Sequence, residues 1–546
     1  MMTIRKSEPV RWRISRRSLL GASAGTTAAL ALAGPNARFV GLAQDESSIL
    51  IGTLGEADTL NPLHAIDNSE THWRSKILFD EFVRVDPETY VPLPGIAASW
   101  DVDDLTFTFQ IQPSVTFSDG TELTADDVKF TLEGILNPQT ASTTAVKYEP
   151  IAGAAEYMAG EADEVSGIEV LDPKTIRITL AVPTAPFLFD LHFLHVVPKA
   201  LLEGKDLSKA STDPFFQDSP VGAGPYIFES WSVGADFVAT ANPNFWEVGK
   251  PEIQRVIHRT IPDSAALVNA LQSEDIDGSL YPAPTLAAEL EENEALTLLV
   301  PPFTQPNGSF FNVREAPLDD ARVRRALAMA VNVDEYVSSS LLGMGAAGLG
   351  PIAPGSWAHD PELAPIPYDP EGAQALLEEA GAAGIEVNML CNAGNVLRED
   401  WLIRCQADWE EIGVTANVEF IEWATLVEAV STTREFQIIG ADFAGVTAEP
   451  SELYEQFHST SSQNHSGFST PELDDLLTQA KQTLDVEAAK PIYAQIQAIL
   501  MEEVPMHWAW YRPFLYVVRA DYGGYTNSNL DGGVFRSLAD MTGPTA

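Results

Sequence analysis

The sequence predicts an α/β fold built on several sheets, and three observations carry that expectation. Segments alternating bulky and polar residues with period two recur along the chain, interleaved with segments of helical spacing. The length, 546 residues, exceeds what one ordinary core accommodates, so two or three domains are expected. Beyond the first 40 residues no apolar run approaches the ~18–20 needed to span a bilayer. Charged residues make up 20% of the chain and hydrophobic ones 45%, the proportions of a soluble globular body.

In chain order, Ser48–Leu54 reads as a strand, followed by a polar loop carrying Leu60-Asn61-Pro62-Leu63. The segment Leu105–Ile111 alternates as a half-buried strand does. Ser118-Asp119-Gly120-Thr121 then reads as a turn, in which Asp supplies a local hydrogen bond and Gly a permissive φ. Thr124-Ala125-Asp126-Asp127 opens a helix, with Thr124 placed to cap the Asp127 amide and Val128, Leu132 and Ile135 on one face. Lys174–Ala181 is another alternating strand, and Gly222–Tyr226 is a glycine-rich bend entering a strand over Tyr226–Glu229. Asp319-Asp320 precedes an amphipathic helix with Val323, Leu327, Ala330 and Val331 on one face and Arg322, Arg324 and Arg325 elsewhere. Tyr368-Asp369-Pro370-Glu371 starts a further helix that stops at Ala380-Gly381.

The first 43 residues read as an export signal and are set apart from the fold. Arg5, Lys6, Arg11, Arg13, Arg16 and Arg17 form a basic region ahead of a small-residue apolar stretch, Ser18 to Gly34. Ser15-Arg16-Arg17-Ser18-Leu19-Leu20 resembles the twin-arginine export motif. Gly41-Leu42-Ala43 is a small-x-small cleavage site; cleavage there, or retention as an anchor, are both open. No Cys follows the apolar stretch, which disfavours a lipid anchor.

The formal charge is -46, from 78 acidic and 32 basic residues, and this field repels nucleic acid and anionic membrane surfaces. Only Cys391 and Cys405 occur; they are free or bridged to each other, and neither joins a metal-binding cluster. Catalytic patterns fail on context. Gly21-Ala22-Ser23-Ala24-Gly25 satisfies GxSxG but lies inside the export signal. Gly343–Gly348 satisfies GxGxxG but follows a helix, which makes it a loop. No HExxH or phosphate-binding loop is present, and His458 and His465 sit in a polar, Ser-rich loop. No catalytic residues, metal site or cofactor is expected, and the balance favours binding over chemistry.

A series of blocks then resembles the bacterial family 5 solute-binding proteins, which serve dipeptide, oligopeptide and nickel importers. In order they are Leu60-Asn61-Pro62, Leu93–Trp100, Thr106–Glu133 (TFTFQIQPSVTFSDGTELTADDVKFTLE), Pro220–Tyr226, Asn242–Trp246, Phe311-Asn312 with Asp319–Val331, Tyr368–Gly381 and Asn464–Asp474. The resemblance covers nearly all of the chain after the export signal. It implies a periplasmic-binding-protein-like type II fold: two lobes about a hinge, with an extra domain inserted in the first lobe. Carried onto this chain, residues 1–43 are the signal, 44–90, 219–306 and 516–546 form domain I, 91–218 the inserted domain II, and 307–515 domain III.

The same resemblance implies an importer receptor that closes on a small solute, peptide-like or alternatively an oligosaccharide, and docks on the permease subunits in the membrane. A signalling receptor of the same fold would look alike in sequence. A monomer is implied, with no nucleic-acid partner. Trp100, Phe107, Phe109, Phe117, Tyr226 and Trp246 are expected in the core. Solute contacts are expected from Thr71, His72 and Trp73, from Asn307, Ser309 and Phe310, and from Asn395 and Arg398 ahead of a helix. A third region departs from the peptide-binding pattern. Ungapped matching of Phe436–Pro450 puts Phe443 at the aromatic position and Val446 where those relatives carry an Asp for the ligand amine; Asp442 is the alternative in a shifted register. Trp73, Trp357, Trp401 and Trp423 are candidate stacking platforms or, equally, core residues.

Overall fold

The computed structural model describes residues 48–544, apart from 58, 65–68, 88, 207–208, 210–212, 283, 302–304, 442–448, 512–513 and 529–532. The segment read as an export signal therefore lies outside the described residues, as do Asp442, Phe443 and Val446.

Three principal sheets organise the body. A seven-stranded sheet has the order Leu296–Leu299, Tyr516–Arg519, Gly278–Leu280, Ser48–Thr53, Arg255–Thr260, Asp236–Ala241, Tyr226–Trp231. Ser48–Thr53 runs parallel to both of its neighbours, and the outer strands are antiparallel. A six-stranded sheet has the order Ala346–Ala347, Met506–Tyr511, Pro306–Phe311, Ile438–Ala441, Glu386–Asn392, Thr415–Ile421, of which the last three are mutually parallel. A four-stranded antiparallel sheet is formed by Ala97–Asp103, Thr106–Ile111, Thr175–Thr179 and Ile168–Asp172.

The period-two pattern explains the four-stranded sheet. Phe107, Phe109 and Ile111 turn inward, and Phe107 meets Phe187 with ring centroids 5.0 Å apart. The six-stranded sheet is apolar on both faces. Met389 and Ile438 join one core with Trp401 and Trp409, whereas Phe310, Ile439 and Trp508 join the core on the other face. Pro306–Phe311 and Met506–Tyr511, buried along their whole length, lose the polar-apolar alternation, which is why these two read weakly from sequence.

The local signals resolve in detail. Gly120 has φ +88°, and Asp119 Oδ1 accepts from the Thr121 amide at 2.9 Å. The helix Ala125–Leu136 begins after Thr124, and there the acid does the capping: Asp127 Oδ2 accepts from the Thr124 amide (2.8 Å) and hydroxyl (2.9 Å). In the glycine-rich bend, a Cβ at Gly222 would stand 2.1 Å from Leu78 O, so only glycine permits that approach. Phe107, Phe109, Phe117 and Tyr226 are buried, while Trp100 and Trp246 pack against the core half-buried.

One arginine departs from the picture of charges kept apart from the core. Arg324, on the helix Ala321–Met329, is 2% exposed and donates to Glu503 O (3.0 Å), Val504 O (3.1 Å) and Leu318 O (2.8 Å). It satisfies carbonyls at the C-terminal end of the helix Val486–Glu503, which the fold would otherwise bury unpaired. Cys391 and Cys405 are both free and buried. Burial pushes the Cys391 thiol up to about 12, and Cys405 higher still, so neither presents a thiolate.

Candidate functional site

Parallel strands fix where loops converge. Glu386–Asn392, Thr415–Ile421 and Ile438–Ala441 all run the same way, so their carboxyl ends share one edge of the six-stranded sheet. Pro306–Phe311 runs antiparallel, with Gly308 opposite Ala441, which brings its amino end, including Asn307, to that same edge. In open α/β sheets ligands bind beyond the carboxyl ends of parallel strands. Ser48–Thr53, Gly278–Leu280 and Arg255–Thr260 create the corresponding edge of the seven-stranded sheet.

At the first edge Asn395 caps the helix Val396–Glu411, its side chain accepting from the Arg398 amide at 3.3 Å. The Arg398 guanidinium donates to Asn392 Oδ1 at 2.7 Å and lies 5.6 Å from the centroid of the Trp423 ring. Trp423 is 51% exposed, a wide aromatic surface beside a fixed cation. These residues, far apart in sequence, are brought together.

The other nominated residues are enclosed. Asn307, Ser309 and Phe310 are buried. The Ser309 hydroxyl accepts from Trp401 Nε1 at 3.1 Å and lies 3.6 Å from Cys405 Sγ, while Phe310 stacks on Phe436 across the other face. Thr71, His72 and Trp73 are buried at the start of the helix Ser69–Phe79. Trp73 Nε1 donates to Phe535 O at 2.8 Å, and its ring packs edge-on against His258. Trp73 and Trp401 are therefore core residues in place of the stacking platforms considered above, because their indole N–H groups are spent on internal acceptors and their faces are covered. Trp357 is partly buried against Tyr493. His72 sits among His192, Phe193 and His195 at ring separations of 5.5, 4.9 and 5.4 Å. Burial holds His192 and His195 below the usual imidazole range, His195 at about 3, so both are neutral at physiological pH. His458 stacks on Tyr454, whereas His465 lies beside Arg434; the two are held by different partners.

A charged cluster that the sequence did not single out lies nearby. Lys147 Nζ sits 3.0 Å from Asp190 Oδ1 and 4.4 Å from the Phe193 ring centroid. The Ala185 amide donates to Lys481 O at 2.8 Å, which sets this segment against the helix Pro471–Gln482. Lys481 pairs with Glu455 at 2.9 Å. Glu449 Oε1 accepts from the Ser451 amide at 3.2 Å. Burial first, then the carboxylates of Asp190 and Glu452, push Glu449 up to about 8. Burial likewise raises Asp190, with Lys147 opposing. Nothing local in Phe187–Asp190 announces this role; the cluster exists only through contacts between segments hundreds of residues apart.

The geometry is that of enclosure. The edge of the six-stranded sheet offers an aromatic surface and a cation, and a buried acidic group lies in the Lys147–Asp190 cluster. Among the described residues no group of three or more His, Cys, Asp or Glu side chains is arranged to hold a metal ion, and no helix is long and apolar enough to cross a membrane.

Comparisons with known proteins agree with this architecture. The chain is 26% identical over 495 residues to the dipeptide-binding protein of Escherichia coli K12, covering 86% of this chain and 90% of that one. It is 28% identical over 448 residues to di/tripeptide-binding protein 2 of Pseudomonas aeruginosa, covering 78% and 82%. The solved structure of the oligopeptide-binding protein AppA of Bacillus subtilis with a nonapeptide superposes with a TM-score of 0.76 at 23% identity, over 91% of this chain and 99% of that one, and shows the shared fold. The family profile of the bacterial extracellular solute-binding proteins, family 5, matches residues 91–465, and the chain belongs to that family.

Proposed function

We propose that the chain is the extracytoplasmic receptor of an ABC importer, which captures a peptide or peptide-like solute by lobe closure and hands it, chemically unaltered, to the permease. The observation that carries this reading is the convergence of Asn392, Asn395, Arg398 and Trp423 at the carboxyl edge of three parallel strands. Sheet membership supports the lobes and their limits. The seven-stranded sheet draws strands from 48–53, 226–299 and 516–519, and the six-stranded sheet only from 306–511. Chain crossings near 306 and 516 would then form the hinge, with 91–218 as the inserted domain. Residues 1–43 would direct twin-arginine-type export and leave the body soluble, without a lipid anchor. The receptor would act as a monomer.

Val446 offers no counter-charge to a ligand amine, and an unpaired ammonium in a closed cleft costs several kcal/mol. Glu449 and Glu452 would take that role beside Asp190, which is already paired with Lys147, with Glu449 carrying its proton until an ammonium arrives. An ammonium placed among them would favour ionised Glu449 and release its proton. An oligosaccharide is the second reading, favoured by the exposed Trp423 face beside Arg398.

Thermal-shift and calorimetric screens against di- and tripeptides, N-acetylated peptides and oligosaccharides test both. At a hundredfold excess over Kd a true ligand stabilises by about 2.7 kcal/mol. Shifts with free-amine peptides alone, with proton release seen as buffer-dependent enthalpy, support the peptide reading. A shift confined to sugars ends it, and turnover of any ligand ends the receptor reading.

A further inference from the structure

A cavity lies on the seven-stranded-sheet side, lined by residues from the C-terminal half of the helix Ser69–Phe79, from the hairpin Val83–Val85 and Pro92–Pro94, and by Thr526 and residues within 533–540. Its volume is about 240 Å³. That exceeds the ~150 Å³ apolar cavity known to accept benzene, so a ring-sized molecule fits.

The lining is unusual for so acidic a chain. Lys76, Arg84 and Arg536 all face it, although basic residues number only 32 against 78 acids. Glu81, wholly buried, takes ion pairs from both Lys76 (3.0 Å) and Arg536, so one carboxylate is shared by two cations. Burial opposes its charge, yet Arg536 and Lys76 hold Glu81 well below the usual carboxylate range. Of the two acids lining the cavity, Asp80 already accepts from Arg84, from Trp246 Nε1 (2.9 Å) and from the Glu81 amide (2.8 Å). Asp540 is paired with Lys250. Arg536 is 5% exposed, and among the described residues its Nε finds no hydrogen-bond acceptor. A buried guanidinium N–H left unmade is costly, and it leaves Arg536 with donor capacity that Glu81 does not use up. Val85, Leu93 and Ala539 supply an apolar part of the wall, beside the hydroxyls of Thr526 and Ser537.

We propose that this cavity is a binding site for a small monocarboxylate with an apolar body, whose carboxylate accepts from Arg536 and Lys76 while its ring or chain packs on Val85, Leu93 and Ala539. Arg536 offers the planar donor geometry a carboxylate matches. Burial, with Arg536 and Arg84 nearby, pulls Lys76 down to about 8 despite Glu81; a bound anion returns it upward. The inference does not rest on the importer reading.

Benzoate is the probe, with benzyl alcohol and inorganic phosphate as controls. Binding is followed by saturation-transfer NMR and thermal unfolding of the whole protein at constant ionic strength. The expected result is saturable benzoate binding, none by either control, and an affinity loss of at least about tenfold in Ala539→Phe, which fills the cavity. Leu93→Trp fills it from the partly exposed hairpin and serves if Ala539→Phe does not fold. Unchanged benzoate affinity in a folded filling variant, equal binding of benzyl alcohol, or preference for phosphate overturns the proposal. So does a benzoate-soaked crystal holding only ordered water beside Arg536.

Discussion

Replacing Glu449 with Gln isolates the one carboxyl whose ionisation the fold opposes most usefully for measurement. Its proton is held to about 8, against an ordinary value of 4.5. Below about pH 4.5 it is protonated in both folded and unfolded chains, and its burial carries no ionisation cost. Between 4.5 and 8 the unfolded chain ionises while the folded one keeps its proton. Stability therefore falls as pH rises, by about 1.4 kcal/mol per unit, and the loss reaches about 3 kcal/mol at pH 7. It levels off once pH passes the folded value. Glutamine has nothing to ionise and retains an oxygen for the Ser451 amide. Urea midpoints measured from pH 5 to 8 for both proteins give the test through their difference. Glu449→Gln is expected to match the parent near pH 5 and to exceed it by about 2–3 kcal/mol at pH 7. Parallel profiles across that range would refute the reasoning, because Glu449 would then be ionised in the folded state.

Other substitutions address separate links. Trp423→Ala and Arg398→Ala should each weaken solute binding about tenfold or more by calorimetry, yet move the unfolding midpoint by less than about 1 kcal/mol, since both lie at the exposed sheet edge. Arg324→Met should cost about 3 kcal/mol by urea denaturation, because the three carbonyls it serves lose their donor in a buried place. Trp401→Ala should cost about 3–5 kcal/mol in the same assay and Trp401→Phe less, the indole being enclosed and bonded to Ser309.

Much of the fold was legible because its signals are local. Asp119-Gly120, Thr124 with Asp127, Asp320 and Asp369-Pro370 each act within four residues, and each forms the turn or helix start it predicts. Arg398 and Trp423 were nominated separately, and only the parallel register of two strands makes them neighbours. Trp73 and Trp401 stayed open between cleft and core because an indole reads the same in either; what decides is an internal acceptor that no nearby residue reveals. The electrostatic coupling of Asp190 to Glu449 and the cationic cavity around Arg536 depend on contacts across hundreds of residues and had no local sign.

The two enclosed sulfhydryls have a practical corollary. With both native thiols shut away and held protonated, a cysteine introduced at an exposed position such as Val248 would be the single site open to maleimide dyes. A donor there and an acceptor attached by orthogonal chemistry elsewhere would let hinge motion be followed molecule by molecule, in the unaltered background sequence.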